Sequence, residues 1–163
     1  MSGVKVADMS TEQWQGLLAT DLTGSFFTSR RFVRNLKGSG RAGAIINITS
    51  IHSAVMRAGG ADYDAAKGGQ TNLTKTLSLE VAEHGITVNA IAPGMILTPM
   101  NGKAMNDAAY RESLEKSIPL KRAGKPEEVA GVAVFLASQA GSYITGSTVT
   151  IDGGLSLELG QGA

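Results

Sequence analysis

Tyr63 and Lys67 stand four residues apart, a spacing that puts both side chains on one face of a helix. A free tyrosine titrates at about 10 and is a poor proton donor or acceptor near neutrality. A neighbouring ammonium favours the phenolate, so Lys67 is expected to lower the Tyr63 pKa. Ser50 follows directly on a short apolar run, Ala44 to Thr49, rich in β-branched residues. That run reads as a strand. In open parallel sheets ligands sit outside the carboxyl ends of strands, so Ser50 has the address of a ligand-binding hydroxyl. It can hold a substrate oxygen against the phenol. The Tyr-x-x-x-Lys spacing alone is common, and its plain reading is an exposed lysine beside a packed tyrosine.

These residues need elements to position them. Ser10 with Gln13 is a capping-box pattern, and Trp14, Leu17, Leu18, Leu22 and Phe26 recur at helical spacing, so a helix is expected to about Leu36. A second helix spans about Asp62 to Ala82, with Leu73, Leu77 and Val81 on one face, and Gly85 ends it. Ile86 to Ile91 reads as a second strand and Ser147 to Ile151 as a third. Asn101 to Ser117 is polar and partly helical, and Pro126, followed by Glu127 and Glu128, opens a last helix. Strands joined through helices are parallel. The expected fold is α/β, a three-layer, Rossmann-like, doubly wound parallel sheet, in a single domain over residues 1–163. It is expected to be incomplete, with N-terminal strands absent, because the chain opens on a helix.

Composition narrows the function. The chain has 163 residues, 42% hydrophobic and 18% charged, which suits a packed core rather than disorder. Its formal net charge of +1 gives no reason to expect nucleic acid or an anionic membrane as partner. Arg30, Arg31, Arg34, Lys37 and Arg41 cluster, as the solvated end of a helix or, alternatively, as an anion site. With no cysteine, disulfides, thiol catalysis and Cys-ligated zinc are excluded, and no metal is expected. No apolar run approaches the roughly 18 residues of a membrane span. The N-terminus has no signal- or transit-peptide pattern, so a cytoplasmic location is expected.

Three strings carry a resemblance. They are Asn47-Ile48-Thr49-Ser50, Tyr63-Asp64-Ala65-Ala66-Lys67-Gly68-Gly69, and Val88 through Thr98 with Asn89-Ala90-Ile91-Ala92-Pro93-Gly94-Met95-Ile96-Leu97 between. With the late Ile151-Asp152-Gly153-Gly154 they closely resemble the short-chain dehydrogenase/reductase family, from about Met9 to Gly154. The resemblance implies an oxidoreductase that moves a hydride between NAD or NADP and a small alcohol or ketone. It implies that Tyr63 exchanges a proton with the substrate, that Lys67 tunes Tyr63 and binds the nicotinamide ribose, and that Ser50 orients the substrate oxygen. Pro93, Gly94, Ile96 and Thr98 match the loop at the nicotinamide end of the cofactor. The helices near Trp14–Leu36 and Asp62–Ala82 resemble those that build family dimers and tetramers, so a homo-oligomer is expected.

Some positions depart from the pattern. Asp21 stands where the family usually has Asn, whose helix kink holds, on a backbone carbonyl, a water leading to the lysine. An ionised Asp accepts hydrogen bonds but donates none. Either Asp21 is a tolerated substitution, and Asn there keeps or raises activity, or its charge favours protonated Lys67. Gly38-Ser39-Gly40-Arg41-Ala42-Gly43 fits the dinucleotide string G-x-G-x-x-G but lies after a helix and before a strand, the wrong context. The family's own phosphate loop is absent, so this chain alone is expected to bind NAD(P)(H) weakly or not at all. The alternative function is therefore a truncated, non-catalytic fragment that associates with full-length relatives. Ser50-Ile51-His52-Ser53 and Thr98-Pro99-Met100-Asn101 are similar to glucose 1-dehydrogenases, which brings His52 toward a sugar or polyol substrate. A surface-loop histidine is the plainer reading. A serine hydrolase built on Ser50 and His52 lacks the G-x-S-x-G elbow.

Overall fold

The computed structural model describes residues 3–158. Ser10 caps the first helix, its hydroxyl accepting from the Gln13 amide at 3.2 Å. Helix α1 (Thr11–Leu18) runs through a π-helical turn, Ala19–Thr23, into α2 (Gly24–Leu36). The helix expected to Leu36 is thus continuous but wound wider around Asp21, and such π-bulges often mark functional sites. The chain then alternates: β1 (Gly43–Ile48), α3 (Ala61–Val81), β2 (Ile86–Pro93), α4 (Gly102–Asn106), α5 (Ala108–Glu115), α6 (Pro126–Ala137), β3 (Thr148–Ile151) and α7 (Leu155–Glu158).

All three strands are parallel, in the order β1-β2-β3. The register pairs Ile45 with Val88 and Ala90 with Thr148. β2 runs two residues past the expected Ile91, because Ala92 and Pro93 pair with Thr150 and Ile151 of β3. Side chains alternate across the sheet. Ile45, Ile86 and Val88 meet Phe32, Val33 and Leu36 of α2 and Leu77 and Val81 of α3 in the apolar core. α6 packs against β1 and β2. The string Gly38–Gly43 connects α2 to β1, so a helix precedes it and a strand follows, as the sequence indicates.

α3 buries an unexpected face. Val81 is buried as expected, but Leu73 and Leu77 are only half-buried, and the deepest stripe is Ala66, Gln70, Thr74 and Ser78. Small and polar side chains bring the helix close to the sheet, and their polar atoms are satisfied. Asn47 Nδ2 donates to Thr74 Oγ1 at 2.8 Å, Thr74 Oγ1 donates to the Gln70 carbonyl at 2.9 Å, and Gln70 Nε2 donates to Ser25 Oγ at 2.7 Å. A sequence scan for apolar periodicity passes over such a face.

Asn89, 1% exposed in the central strand, staples β2 to the turn before β3. Its Nδ2 donates to the Ile144 carbonyl at 2.7 Å, and its Oδ1 accepts from the Ser147 amide at 3.1 Å. Asn89→Ala strands both backbone groups. A buried unsatisfied group costs about 1–3 kcal/mol, so the variant is expected to lose about 3 kcal/mol. Urea unfolding checks this as a lower midpoint with an unchanged slope.

Candidate active site

The carboxyl ends of β1 and β2 face the start of α3. Thr49 locks the end of β1 to β2, its amide (2.7 Å) and its hydroxyl (3.0 Å) both donating to the Ile91 carbonyl. Ser50 follows, buried and extended, and caps the short 3-10 turn Ile51–Ser53 by accepting from the His52 amide at 3.2 Å. Across from it the first turn of α3 presents Tyr63, whose phenol hydrogen-bonds Ser50. Lys67 lies one turn further along, its Nζ 5.5 Å from the Tyr63 ring centre. Ser50, Tyr63 and Lys67 therefore come together as the sequence predicts.

Two glycines make the approach possible. A Cβ on Gly69 would lie 2.9 Å from Leu22 Cδ2, so the glycine lets the π-helical turn press against α3 without displacing that side chain. This brings Asp21 to Lys67, with Oδ2 3.6 Å from Nζ. A Cβ on Gly94 would meet Asp152 Cβ at 2.7 Å and Cα at 2.9 Å, where β2 leaves the sheet beside β3.

The lysine head sits among three acceptors, none of them close. The Ile48 carbonyl is at 3.3 Å, Gln70 Oε1 at 3.4 Å and Asp21 Oδ2 at 3.6 Å. The Asp21 carbonyl accepts from Ser25 Oγ at 3.2 Å, and Ser25 is bonded by Gln70, which reaches Lys67. Side chains thus link the π-turn carbonyl to the lysine.

The expected lowering of the Tyr63 pKa does not hold. The phenol is raised above its ordinary value, first by burial and then by the charges of Asp21 and Asp64. The Ser50 hydrogen bond and the Arg57 charge oppose this without reversing it. The physical reason is burial of the phenol, which favours the neutral form, with the Asp21 and Asp64 carboxylates adding to it.

Ser50, His52, Tyr63 and Gly94 line one cavity of about 470 Å³, within the usual size for small-molecule sites. The His52 ring stands edge-on to Tyr63, with centroids 6.2 Å apart and 72° between planes. Lys67 and Asp21 lie outside the lining, behind Tyr63. Pro93, Ile96 and Thr98 lie outside it as well, Pro93 at the end of β2 and the other two in a loop pinned to the residues before α6. There Gly124 N donates to the Met95 carbonyl (2.9 Å), Leu97 N donates to the Gly124 carbonyl (3.0 Å), and Asn101 Nδ2 donates to the Ile96 carbonyl (2.7 Å). Sequence reasoning missed Arg57, Asn101, Tyr110 and Ser117, which also line the cavity. Arg57 had one available signal, its place in the short loop that must bridge Ser50 and Tyr63. No group of three or more potential metal ligands occurs among the described residues.

The chain thus folds as a parallel α/β sheet with serine, tyrosine and lysine gathered at its carboxyl end. Residues 2–156 match the family described as enoyl-(acyl carrier protein) reductase. The chain is 42% identical to 3beta-hydroxysteroid dehydrogenase 1 of Eggerthella lenta, over 99% of this chain and 65% of that protein. It is 39% identical to glucose 1-dehydrogenase 2 of Bacillus subtilis, over 92% of this chain and 58% of that protein. The crystal structure of a gluconate 5-dehydrogenase from Burkholderia cenocepacia, in complex with NADP and tartrate, superposes with a TM-score of 0.87 at 35% identity, covering 94% of this chain and 60% of that one. The chain belongs to the short-chain dehydrogenase/reductase family. It spans less than two thirds of the length of these relatives.

Proposed function

We propose that this chain is the catalytic part of an NAD(P)-dependent oxidoreductase acting on a small alcohol or ketone. The observation that carries the reading is the contact of Ser50 with Tyr63 inside a ligand-sized cavity, with Lys67 one helical turn behind. The donor set fits the nicotinamide–ribose end of such a cofactor. Lys67 holds three N–H groups on long contacts that ribose hydroxyls can replace, beside the Tyr63 hydroxyl and the Pro93–Thr98 loop. The bound cofactor supplies or accepts the hydride. Ser50 holds the substrate oxygen, and Tyr63 gives it a proton in reduction or takes one in oxidation.

The raised phenol pKa has a direction for catalysis. Tyr63 is kept as the neutral acid at neutral pH, the form reduction needs, whereas oxidation needs the phenolate and gains as pH rises. Asp21→Asn removes one of the charges that raise the phenol. Tyrosine absorbance is expected to show tyrosinate forming at lower pH in that variant, and alcohol oxidation near neutrality is expected to be equal or faster. A drop of about tenfold or more in kcat would make Asp21 a functional carboxylate instead.

The test joins this chain to the cofactor-binding segment of the Bacillus subtilis relative and follows NAD(P)H absorbance with a panel of alcohols and ketones. A folded fusion that is inert to the whole panel would sink the reading. Association with further copies belongs to the same proposal, supported by exposed Phe26 and Phe27 on α2 and by Leu79, 82% exposed, on α3. One observation favours a second reading, a non-catalytic partner of full-length relatives. β1 pairs on one side only, and an open edge recruits strands. Sedimentation of the chain mixed with such a relative tests it, and a mixture that sediments as separate species counts against it.

A further inference from the structure

The loop that carries the chain from Ser50 to Tyr63 folds as two self-bonded halves. In the first, Ser53 N donates to the Ser50 carbonyl at 3.0 Å and Val55 N to the Ile51 carbonyl at 2.9 Å, and His52 Nδ1 lies 2.8 Å from the Val55 carbonyl. In the second, Gly60 N donates to the Arg57 carbonyl at 3.1 Å and closes a turn. Exposed Met56 joins the halves. Asp64, in the first turn of α3 and 7% exposed, stands between them. Its Oδ2 accepts from the Arg57 amide at 3.2 Å. Its Oδ1 has no hydrogen-bond partner among the described residues and lies 4.0 Å from His52 Nδ1 in the first half. The fit is close, because a Cβ on Gly60 would lie 2.8 Å from Asp64 Oδ2. A buried oxygen without a partner destabilises the fold, so packing alone does not explain this carboxylate.

We propose that Asp64 is a positioning residue of the site, whose carboxylate ties the loop to α3 and so seats the Ser50 hydroxyl on the Tyr63 phenol. The inference rests on the oxidoreductase reading and deepens it by one residue behind the reacting pair. Ser50 and Tyr63 flank the loop, so slack in the loop moves one against the other, and a misplacement of about 1 Å can cost about a hundredfold in rate. Asp64 passes no proton and lies outside the cavity lining. It also acts by charge. Around the phenol stand Asp21 on the π-helical turn, Asp62, Asp64 and Lys67 on α3, His52 and Arg57 on the loop, and Tyr110 across the cavity. Of these, Asp64 and Asp21 oppose ionisation of Tyr63.

Two substitutions separate the tie from the charge. Asp64→Asn keeps an oxygen for the Arg57 amide and removes the charge. Gly60→Ala keeps the charge and pushes the carboxylate off that amide. Alanine also adopts the negative φ of Gly60, and Gly3 N still donates to the Gly59 carbonyl at 3.1 Å, so the turn stays anchored. In the 163-residue chain, NMR of ring-labelled tyrosine is expected to show Tyr63 ionising at lower pH in Asp64→Asn. Glu80→Gln, an equal loss of charge at an exposed position of α3, is expected to leave that titration in place. Hydrogen exchange at the Arg57 amide is expected to quicken about tenfold or more in Gly60→Ala and to stay within about threefold in Asp64→Asn. In the fused chain, Gly60→Ala is expected to lower kcat about tenfold or more, with the cofactor KM changed by about twofold or less. An Arg57 amide or a kcat indifferent to Gly60→Ala overturns the proposal. So does a Tyr63 titration that Asp64→Asn leaves unmoved, since the carboxylate would then not stand against the phenol. A parent fusion inert to every substrate would instead discard the oxidoreductase reading, while the exchange and titration in the unfused chain still decide the tie.

Discussion

Tyr63→Phe is expected to reduce turnover in the fused chain by about a hundredfold or more, without unfolding it. General acid–base catalysis contributes typically about 10²–10⁴-fold, and this substitution removes the proton proposed to pass between Tyr63 and the substrate. A hundredfold loss corresponds to about 2.7 kcal/mol in the barrier. The structural cost is small by comparison. Phe keeps the ring that stands edge-on to His52 and lies 5.5 Å from the Lys67 ammonium. Ser50 loses one hydrogen bond, a net effect of about 1 kcal/mol, and still accepts from the His52 amide. Turnover and the thermal midpoint measured on one preparation separate the two effects. A variant that keeps more than about a tenth of the rate would mean that another group moves the proton.

The same residues show what the sequence could and could not reveal. Element order and parallel pairing followed from apolar runs and their boundaries, because β-branched strands and capped helices write those signals locally. Ser10 and Gln13 formed their cap, and Ser50, Tyr63 and Lys67 converged because strand end and helix start are neighbours by topology. Three things were not written locally. The polar buried face of α3 depends on Asn47, Ser25 and Gln70 meeting across three elements. The break inside residues 101–117 falls at Asp107, whose Oδ1 caps α5 by accepting from the Tyr110 amide at 2.9 Å; the Asp was visible, but its helix was short. The direction of the Tyr63 pKa was missed because burial of the phenol is set by tertiary packing, and because Asp21, which adds to it, is far away in sequence and is delivered by a π-helical turn that leaves no periodic mark.

Lys67→Ala is expected to be nearly as damaging as loss of the phenol, and part of the damage is expected to come from what it leaves behind. The lysine–Asp21 pair is not a stability device. Its side chains are 12% and 26% exposed and its separation is 3.6 Å, so the cost of desolvating two charges offsets much of their attraction. The catalytic consequence is larger. Removing the ammonium removes the donor proposed for the ribose, which raises the KM for the cofactor. It also leaves the Asp21 charge, which already opposes ionisation of Tyr63, without its counter-ion. Oxidation is therefore expected to fall by about a hundredfold or more at neutral pH and to recover in part as pH rises, since higher pH restores the phenolate. Adding Asp21→Asn to Lys67→Ala should recover part of the kcat, because it removes the orphaned charge, but none of the cofactor KM, because the ribose donor is still missing. Residues in contact are expected to be non-additive in this way. A double variant as slow as the product of the two single effects would show that Asp21 and Lys67 act independently, and the ion pair would then have no part in setting the phenol.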